Sequence, residues 1–404
     1  MLPRVLLWLG LLHFLPLSGS AQSGERVAQP VQVSGIVFLD RDRDGVRDAA
    51  EPGLANVGVS DQVTLTRTDS SGRFRLDAAG YGVVFVILPD GYVPVGPWWR
   101  AAQPAGDLTF AVAQAPSGNS FSFLHASDTH VHPGNLHRVR RFRAIADSVR
   151  PAFVLISGDL IRDALRVSES EAKGYYDLLM KELAEFRMPV YTVPGNHEIF
   201  GIERHLSLVS RQHPLYGKRM YRSYLGPNYY GFTWGGVHFI GLDTVDYDDL
   251  WYNGHVDSLQ LAWLAAEVAT LPAGMPVVTY NHIPLVTAAE VIDGYRDDGP
   301  APTTIRIGGK VHFRHSVRNS AEVLKTLEDR LELALGGHMH RREQLTYETA
   351  FGTRRFYQTA AVTDPDTGEG PLGIRSGVTV YRVSGGKVDE GTFIPLNLPT
   401  ASGR

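Results

Sequence analysis

The chain has 404 residues, 43% hydrophobic and 20% charged, which is enough apolar material for two or three domains with their own cores and too much for a disordered chain. A formal net charge of −4 gives no general electrostatic reason to expect nucleic acid or an anionic membrane as partner. Cysteine is absent, which excludes disulfides, thiolate ligands, cysteine nucleophiles and a lipidated N-terminal cysteine, so any metal must be held by nitrogen and oxygen.

Met1 to Ser23 reads as a secretory signal. Arg4 supplies the charged start, Val5 to Leu17 the apolar middle and Gly19-Ser20-Ala21 the small-residue cleavage site, giving a signal peptide over residues 1–21. His13 and Pro16 interrupt the apolar run, and no other stretch is apolar for long enough to span a bilayer. The expectation is an exported protein, periplasmic or extracellular, with no integral membrane span once the signal is removed.

Residues 31–115 carry strand-like segments at Val31–Leu39, Gln62–Arg67, Arg73–Leu76 and Gly82–Leu88, with turn signals at Ser70-Ser71-Gly72 and Pro89-Asp90-Gly91. A small antiparallel β-sandwich is expected. Within it, Asp40, Asp42, Asp44, Asp48 and Glu51 stand at the oxygen-ligand positions of a twelve-residue calcium loop, with Gly45 at the sharp turn and Val46 offering its carbonyl. Arg41, Arg43 and Arg47 are interleaved and weaken the negative field. The segment from Gly35 through Gly72 resembles the SdrD B-like and Cna B-like repeats of bacterial surface proteins, which implies a structural calcium. Ala115-Pro116-Ser117-Gly118-Asn119-Ser120 reads as a linker.

From Phe121 to about Pro399 the pattern changes to an apolar strand, a polar cluster and then a helical stretch, repeated. Phe121–Ser127 runs into Asp128-Thr129-His130, and Ala152–Ser157 into Gly158-Asp159. Pro189–Pro194 leads to Gly195-Asn196-His197-Glu198, Pro276–Tyr280 to Asn281-His282, and Leu331–Leu335 to Gly336-Gly337-His338-Met339-His340. Helical periodicity covers Leu136–Arg150, Glu171–Arg187, Ser258–Leu271 and Ser320–Leu333. This alternation implies an α/β domain over residues 121–399. The strand Gly235–Leu242 and the hairpin-rich tail break the alternation and point to two sheets with helices outside.

Five strand ends thus present Asp128, His130, Asp159, Asn196, His282, His338 and His340, all nitrogen or hard-oxygen donors. Four imidazoles suit divalent Mn, Fe or Zn better than Mg or Ca. Seven donors exceed the needs of one ion, whereas two ions bridged by a carboxylate use them naturally. These five blocks, in this order, resemble the calcineurin-like metallophosphoesterase family. The resemblance implies a four-layer α/β/β/α sandwich, preceded here by the small all-β sandwich.

It further implies one metal on Asp128, His130 and His340, another on Asn196, His282 and His338, and Asp159 between them. His197 is implied to face the substrate phosphate, where it can stabilise charge or protonate the leaving oxygen, the latter aided by a carboxylate such as Glu198 or Asp163. Arg162 stands where purple acid phosphatases carry a metal-binding tyrosine, which argues against that subfamily. The implied reaction is hydrolysis of a phosphate mono- or diester on a small phosphorylated substrate by attack of a metal-bound hydroxide, with a nucleotide as the one nucleic-acid-like possibility. The competing readings are a surface binding protein with a degenerate hydrolase domain, or a metal-dependent hydrolase of another bond.

Of the remaining histidines, His125 and His238 are expected in the core. His205, His213, His255, His312 and His315 are expected on the surface or in loops, and His132 and His137 are candidates for the cleft. Tyr216–Trp234 and His282–Arg314 are long enough to shape a substrate pocket.

Overall fold

Alternate side chains of the strand Ser120–Ala126 belong to two different cores, and this division sets the architecture. In the computed structural model, which describes residues 30–102, 106–115, 118–295, 302–307, 309–350, 352–364 and 375–397, Leu124 and Ala126 join one apolar cluster and Phe123 joins the other. The expected signal segment, residues 1–21, lies outside the described residues.

Leu124 and Ala126 share their cluster with Val154, Ile156, Val378 and Val380, and with Val139, Phe142, Tyr176 and Leu179 from the helices Leu136–Val149 and Glu169–Leu183. Phe123 instead stacks on Phe153 (5.6 Å) and Tyr381 (5.2 Å) and meets Phe239 of the second sheet edge-on at 5.3 Å. Trp263 and Leu264 of the helix Ser258–Thr270, and Val323 and Leu327 of Ser320–Leu327, belong to that same second cluster. The layers are therefore helix, sheet, sheet, helix, as expected.

The first sheet has the order Val190–Val193, Phe153–Ser157, Ser120–Ala126, Gly377–Ser384 and Lys387–Val388, with Thr392–Pro395 also on Gly377–Ser384. The second runs Tyr230–Trp234, Val237–Leu242, Val277–Asn281, Leu331–Gly336, Gly352–Gln358 and Glu343–Thr349. Pairing is parallel through Val190–Val193, Phe153–Ser157 and Ser120–Ala126 in one sheet, and from Val237–Leu242 through Gly352–Gln358 in the other. Parallel neighbours bring carboxyl ends to one edge, where α/β folds place their ligands.

Local chemistry corrects two expected helices. Glu169–Leu183 starts before Glu171 because the Ser168 hydroxyl accepts a hydrogen bond from Glu171 N (3.3 Å). Ser320–Leu327 ends well short of Leu333, since Glu328 takes a left-handed φ of 51° and the chain enters the strand Leu331–Gly336. Tyr216–Trp234 is not a pocket loop: it forms the helix Arg219–Leu225 and the strand Tyr230–Trp234, and Tyr221, Tyr229, Tyr230 and Phe232 are buried.

The N-terminal region forms two four-stranded sheets, ordered Arg73–Ala78, Val31–Leu39, Asp107–Gln114, Tyr92–Val95 and Leu65–Arg67, Gly58–Ser60, Val83–Ile87, Trp99–Ala101. It is not wholly antiparallel, because Val31–Leu39 pairs parallel with Asp107–Gln114. Nor does it hang on its linker. Trp98 packs 4.6 Å from Tyr230, Trp263 Nε1 donates to Ser60 Oγ (3.1 Å), and Gln62 Nε2 donates to the Tyr229 carbonyl (3.2 Å). Gly235 N and Gly236 N donate to the Asp90 carboxylate at 2.7 and 2.9 Å. One continuous apolar cluster joins this region to the second sheet.

A shared core has a measurable consequence. Calorimetry of the full chain should show one unfolding transition, and Trp263→Ala should destabilise it by about 3–5 kcal/mol; two resolved transitions would contradict a common core.

Candidate metal centre

Five of the seven predicted ligands sit in left-handed backbone: Asp128 (φ 53°), His130 (40°), Asp159 (48°), His338 (70°) and His340 (57°). Such conformations are costly for side-chain-bearing residues and persist where surrounding bonds over-determine them. Those bonds are present. Asp128 N donates to Gly158 O (3.1 Å), His130 N to Asp159 O (2.9 Å), His197 N to Asp159 Oδ1 (2.9 Å) and His338 N to Asp128 Oδ2 (3.0 Å). The glycines of the blocks permit this crowding. A Cβ on Gly195 would stand 2.1 Å from Asp159 Oδ1, and one on Gly337 would stand 1.8 Å from Ser127 Oγ.

The side chains converge as three sets, with His130, Asp159 and His197 linking the two described next. Asp128, His130 and His340 each place a donor atom within 4.8 Å of the others, and so do Asp159, His282 and His338. Asp159 faces both, with Oδ1 3.2 Å from His282 Nε2 and Oδ2 3.6 Å from His130 Nε2. Asn196 Oδ1 lies 3.1 Å from His282 Nε2. His197 stands beside the first set, its Nε2 3.8 Å from Asp159 Oδ2 and its Nδ1 2.5 Å from the Arg162 carbonyl oxygen. All seven predicted ligands and His197 are thus gathered at one edge of the two sheets.

The converging carboxylates and imidazoles shift one another's protonation. Burial opposes ionisation of Asp159, yet His282 and His197 hold its carboxyl well below the usual carboxylate range; His340 does the same, more weakly, for Asp128. Burial likewise works against a charged His282, but the Asp159 and Asp128 carboxylates raise it to about 9. His130 is pushed down to about 4 by burial and by His197, and His338 falls well below its ordinary value through burial and His282. His130 Nε2 is buried without a hydrogen-bond partner, and His282 Nε2 and His338 Nδ1 face each other at 3.0 Å. Donors that converge on one another in this way fit shared cations.

The outer atoms of the imidazoles are anchored. His282 Nδ1 lies 2.8 Å from the Ser157 carbonyl oxygen, to which it can only donate, leaving the Nε2 lone pair toward Asp159 and Asn196. His340 Nδ1 lies 2.6 Å from Asp364 Oδ2. His338 Nε2 lies 2.8 Å from His315 Nδ1, the rings stacked at 4.9 Å, and His315 Nε2 lies 3.8 Å from Glu290 Oε1.

Asp364 and His315 were not legible as site residues. No spacing joins them to the ligand blocks; His315 lies in a loop, as expected, and from there it reaches His338. His312 is instead buried. His125 and His238 are in the core as expected, on Ser157 Oγ (2.5 Å) and Glu267 Oε1 (3.2 Å) respectively. His132 is not among the converging donors; its Nδ1 accepts from Gly134 N (3.1 Å).

Neither carboxylate expected to assist His197 is placed to do so. Glu198 is fully buried and accepts from Leu160 N, Ile161 N and Gly195 N, clamping two ligand blocks together, and burial with the nearby Asp159 pushes it up to about 8. Asp163 accepts from Leu165 N and pairs with Arg166. The carboxylate nearest His197 is Asp159.

In the N-terminal acidic loop, Asp40, Asp42 and Glu51 bring carboxylate oxygens within 4.8 Å of one another, with Asp40 and Glu51 buried. Asp44 and Asp48 lie outside that group. Asp44 Oδ1 accepts from Val46 N (2.7 Å), and Asp48 N donates to Glu51 Oε2 (3.0 Å). The Val46 side chain points to solvent.

Residues 121–342, more than half of the chain, match the calcineurin-like phosphoesterase family. The chain belongs to that family. Among solved structures it is similar to a dimetal phosphatase from Danio rerio, at 15% identity over 68% of this chain and 98% of that one, with a TM-score of 0.46. It is also similar to GAP50, described as the anchor in the inner membrane complex of Plasmodium (16%, 69% and 85%, TM-score 0.41). A third is the phosphopantetheinyl hydrolase of Mycobacterium tuberculosis (14%, 61% and 91%, TM-score 0.33). No curated protein gives a significant match.

The His338–His315 contact can be tested apart from turnover. His315→Ala should lower affinity for the second metal by about 10–100-fold, as loss of a ligand's outer hydrogen bond does elsewhere, with Tm of the apoprotein nearly unchanged. Metal titration followed by calorimetry reads both quantities.

Proposed function

We propose that the protein is an exported two-metal phosphoesterase, with one ion held by Asp128, His130 and His340, the other by Asn196, His282 and His338, and Asp159 shared. The observation that carries this reading is the Asp159 carboxylate, whose two oxygens face the two donor sets separately. Donors limited to imidazole, carboxylate and amide favour Mn, Fe or Zn. When bound, two such ions supply Lewis-acid polarisation of the phosphoryl group and offset the charge that develops as it is displaced.

The chain's own residues do the rest. Asp159 and Asp128 fix the imidazoles through the contacts given above, and Asn196 adds an oxygen without adding charge. The Arg162 carbonyl holds His197 by Nδ1, so Nε2 is the atom left toward the cleft. A proton carried at Nε2 passes to the leaving oxygen as its bond to phosphorus breaks and a water oxygen takes its place on phosphorus. Export rests on the N-terminal charged, apolar and small-residue pattern over residues 1–21.

For the N-terminal module we infer a structural Ca²⁺ in the loop from Asp40 to Glu51, supported by the buried Asp40 and Glu51 carboxylates meeting Asp42. The resemblance to SdrD B-like and Cna B-like repeats agrees with that role.

Hydrolysis of p-nitrophenyl phosphate and bis(p-nitrophenyl) phosphate by Mn²⁺-, Fe²⁺- or Zn²⁺-loaded protein tests the main reading. His197→Ala should lower kcat by about 10²–10⁴-fold with metal content retained, whereas Asp159→Ala should lose metal and activity together. Turnover of neither ester by any loaded form would reject the phosphoesterase, and the ratio of the two rates decides mono- against diester.

Calcium binding is expected to stabilise the fold by about 3 kcal/mol at roughly a hundredfold excess over Kd. Glu51→Gln should abolish that gain, and a Tm indifferent to Ca²⁺ in the parent protein would sink the site.

A further inference from the structure

Six of the eleven large hydrophobic side chains exposed among the described residues come from three short segments beside the candidate metal centre. They are Trp251 of the strand Trp251–Gly254, Val291, Ile292 and Tyr295 in and just after the helix Ala289–Asp293, and Val311 and Phe313 of the hairpin Thr304–Phe313. Exposure reaches 69% at Val291 and 65% at Tyr295.

Each segment is inverted relative to an ordinary water-facing surface. Val311 and Phe313 face out while His312 between them is buried. Trp251 faces out, whereas Tyr252 is buried with its ring 6.0 Å from that of His338. Glu290 turns inward to His315 while Val291 and Ile292 face out. Beneath them Arg314, 3% exposed, stacks its guanidinium 4.2 Å from the Tyr252 ring and 5.6 Å from that of Trp251. Polar groups lie inside and apolar groups outside, a pattern that marks a surface meeting an apolar phase.

The bases of this rim are concentrated in its hairpin, whereas Asp248 and Asp249 precede Trp251, and Glu290 and Asp293 belong to the short helix. From Pro302 to Ser320 the sequence carries Arg306, Lys310, Arg314 and Arg318 and no acid, so the net charge of −4 conceals a basic segment. Arg306, Lys310 and Arg318 are exposed. Exposed apolar residues set among exposed bases are the signature of contact with an anionic interface. No helix among the described residues is long and apolar enough to cross a membrane.

We propose that this rim is a docking face for an anionic lipid surface. The outward apolar side chains enter the boundary between headgroups and acyl chains, and Arg306, Lys310 and Arg318 meet the anionic headgroups. Resting on the phosphoesterase reading above, the rim gives the metal centre an amphiphilic phosphate ester, whose alkyl part stays among these side chains while its phosphate reaches the ligands.

Flotation with vesicles of phosphatidylcholine, alone or mixed with phosphatidylglycerol, tests the docking face on the full chain without substrate or metal. The parent protein should float with the mixed vesicles and be released by salt. Val311→Asp with Phe313→Asp should weaken binding by about tenfold or more, and Lys310→Ala by about fivefold. Val291→Asp, on a separate segment, gives the same readout should the double variant misfold. Hydrolysis of the soluble bis(p-nitrophenyl) ester should be unchanged in these variants.

Absence of flotation, equal flotation with both lipids, or flotation unaffected by the aspartates would each overturn the proposal. So would a dimer in size-exclusion chromatography that the aspartates dissociate without any vesicle binding. Vesicle binding that follows these expectations with no turnover of any ester would keep the docking face and reject the phosphoesterase reading instead.

Discussion

Left-handed backbone at the ends of parallel strands is the constraint on which the candidate centre depends. Asp128, His130, Asp159, His338 and His340 each hold a conformation that costs about 1–3 kcal/mol outside glycine. Asp and His tolerate it better than most residues, but five instances in one cluster need a rigid frame. The frame is the pair of sheets, locked together by Phe123, Phe153, Tyr381 and Phe239. Cross-block hydrogen bonds then tie the ligand loops to each other rather than to solvent. The buried Glu198 carboxylate, bound to three amides from two blocks, is part of the same brace.

The N-terminal region extends that frame. Its core is continuous with the second sheet, so the two regions share one apolar cluster among the described residues. Composition alone could not reveal this. A linker-like stretch and two separate strand patterns read as two units, while the aromatic residues that join them, Trp98, Tyr229, Tyr230 and Trp263, look in sequence like ordinary core material. Docking is decided by which apolar faces are left over after each sheet packs, and that is a property of the assembled layers.

What the sequence made legible follows from locality. The strand-to-loop junctions, the side chains that converge there and the two-sheet arrangement are written in short windows: an apolar run, glycine, then donors. What it hid depends on long-range contact. His315 is 23 residues from His338 and Asp364 is 24 from His340, and nothing in their own neighbourhoods marks them. The role of Glu198 was misjudged for a related reason. Its place next to His197 in sequence suggested proximity in space, but the 3-10 turn at Asn196–Glu198 sends Glu198 inward, away from the imidazole. Helix ends were misread where a single residue, Ser168 or Glu328, outweighed the periodicity around it.

The pair His338 and His340 shows how the backbone constraint becomes chemistry. In an extended strand, residues two apart point to the same face, and both imidazoles would serve one ion. Here both residues are left-handed, so that rule does not hold. His338 Nδ1 faces His282, and its Nε2 is met by His315. His340 Nε2 faces Asp128, and its Nδ1 is met by Asp364. Two adjacent alternate histidines therefore serve opposite sides of Asp159, each fixed by its own outer partner. His315 belongs to the segment whose outward face is apolar and basic, whereas Asp364 follows the strand Gly352–Gln358 of the second sheet. One side of the centre is thus braced from the second sheet and the other from the segment that carries the rim.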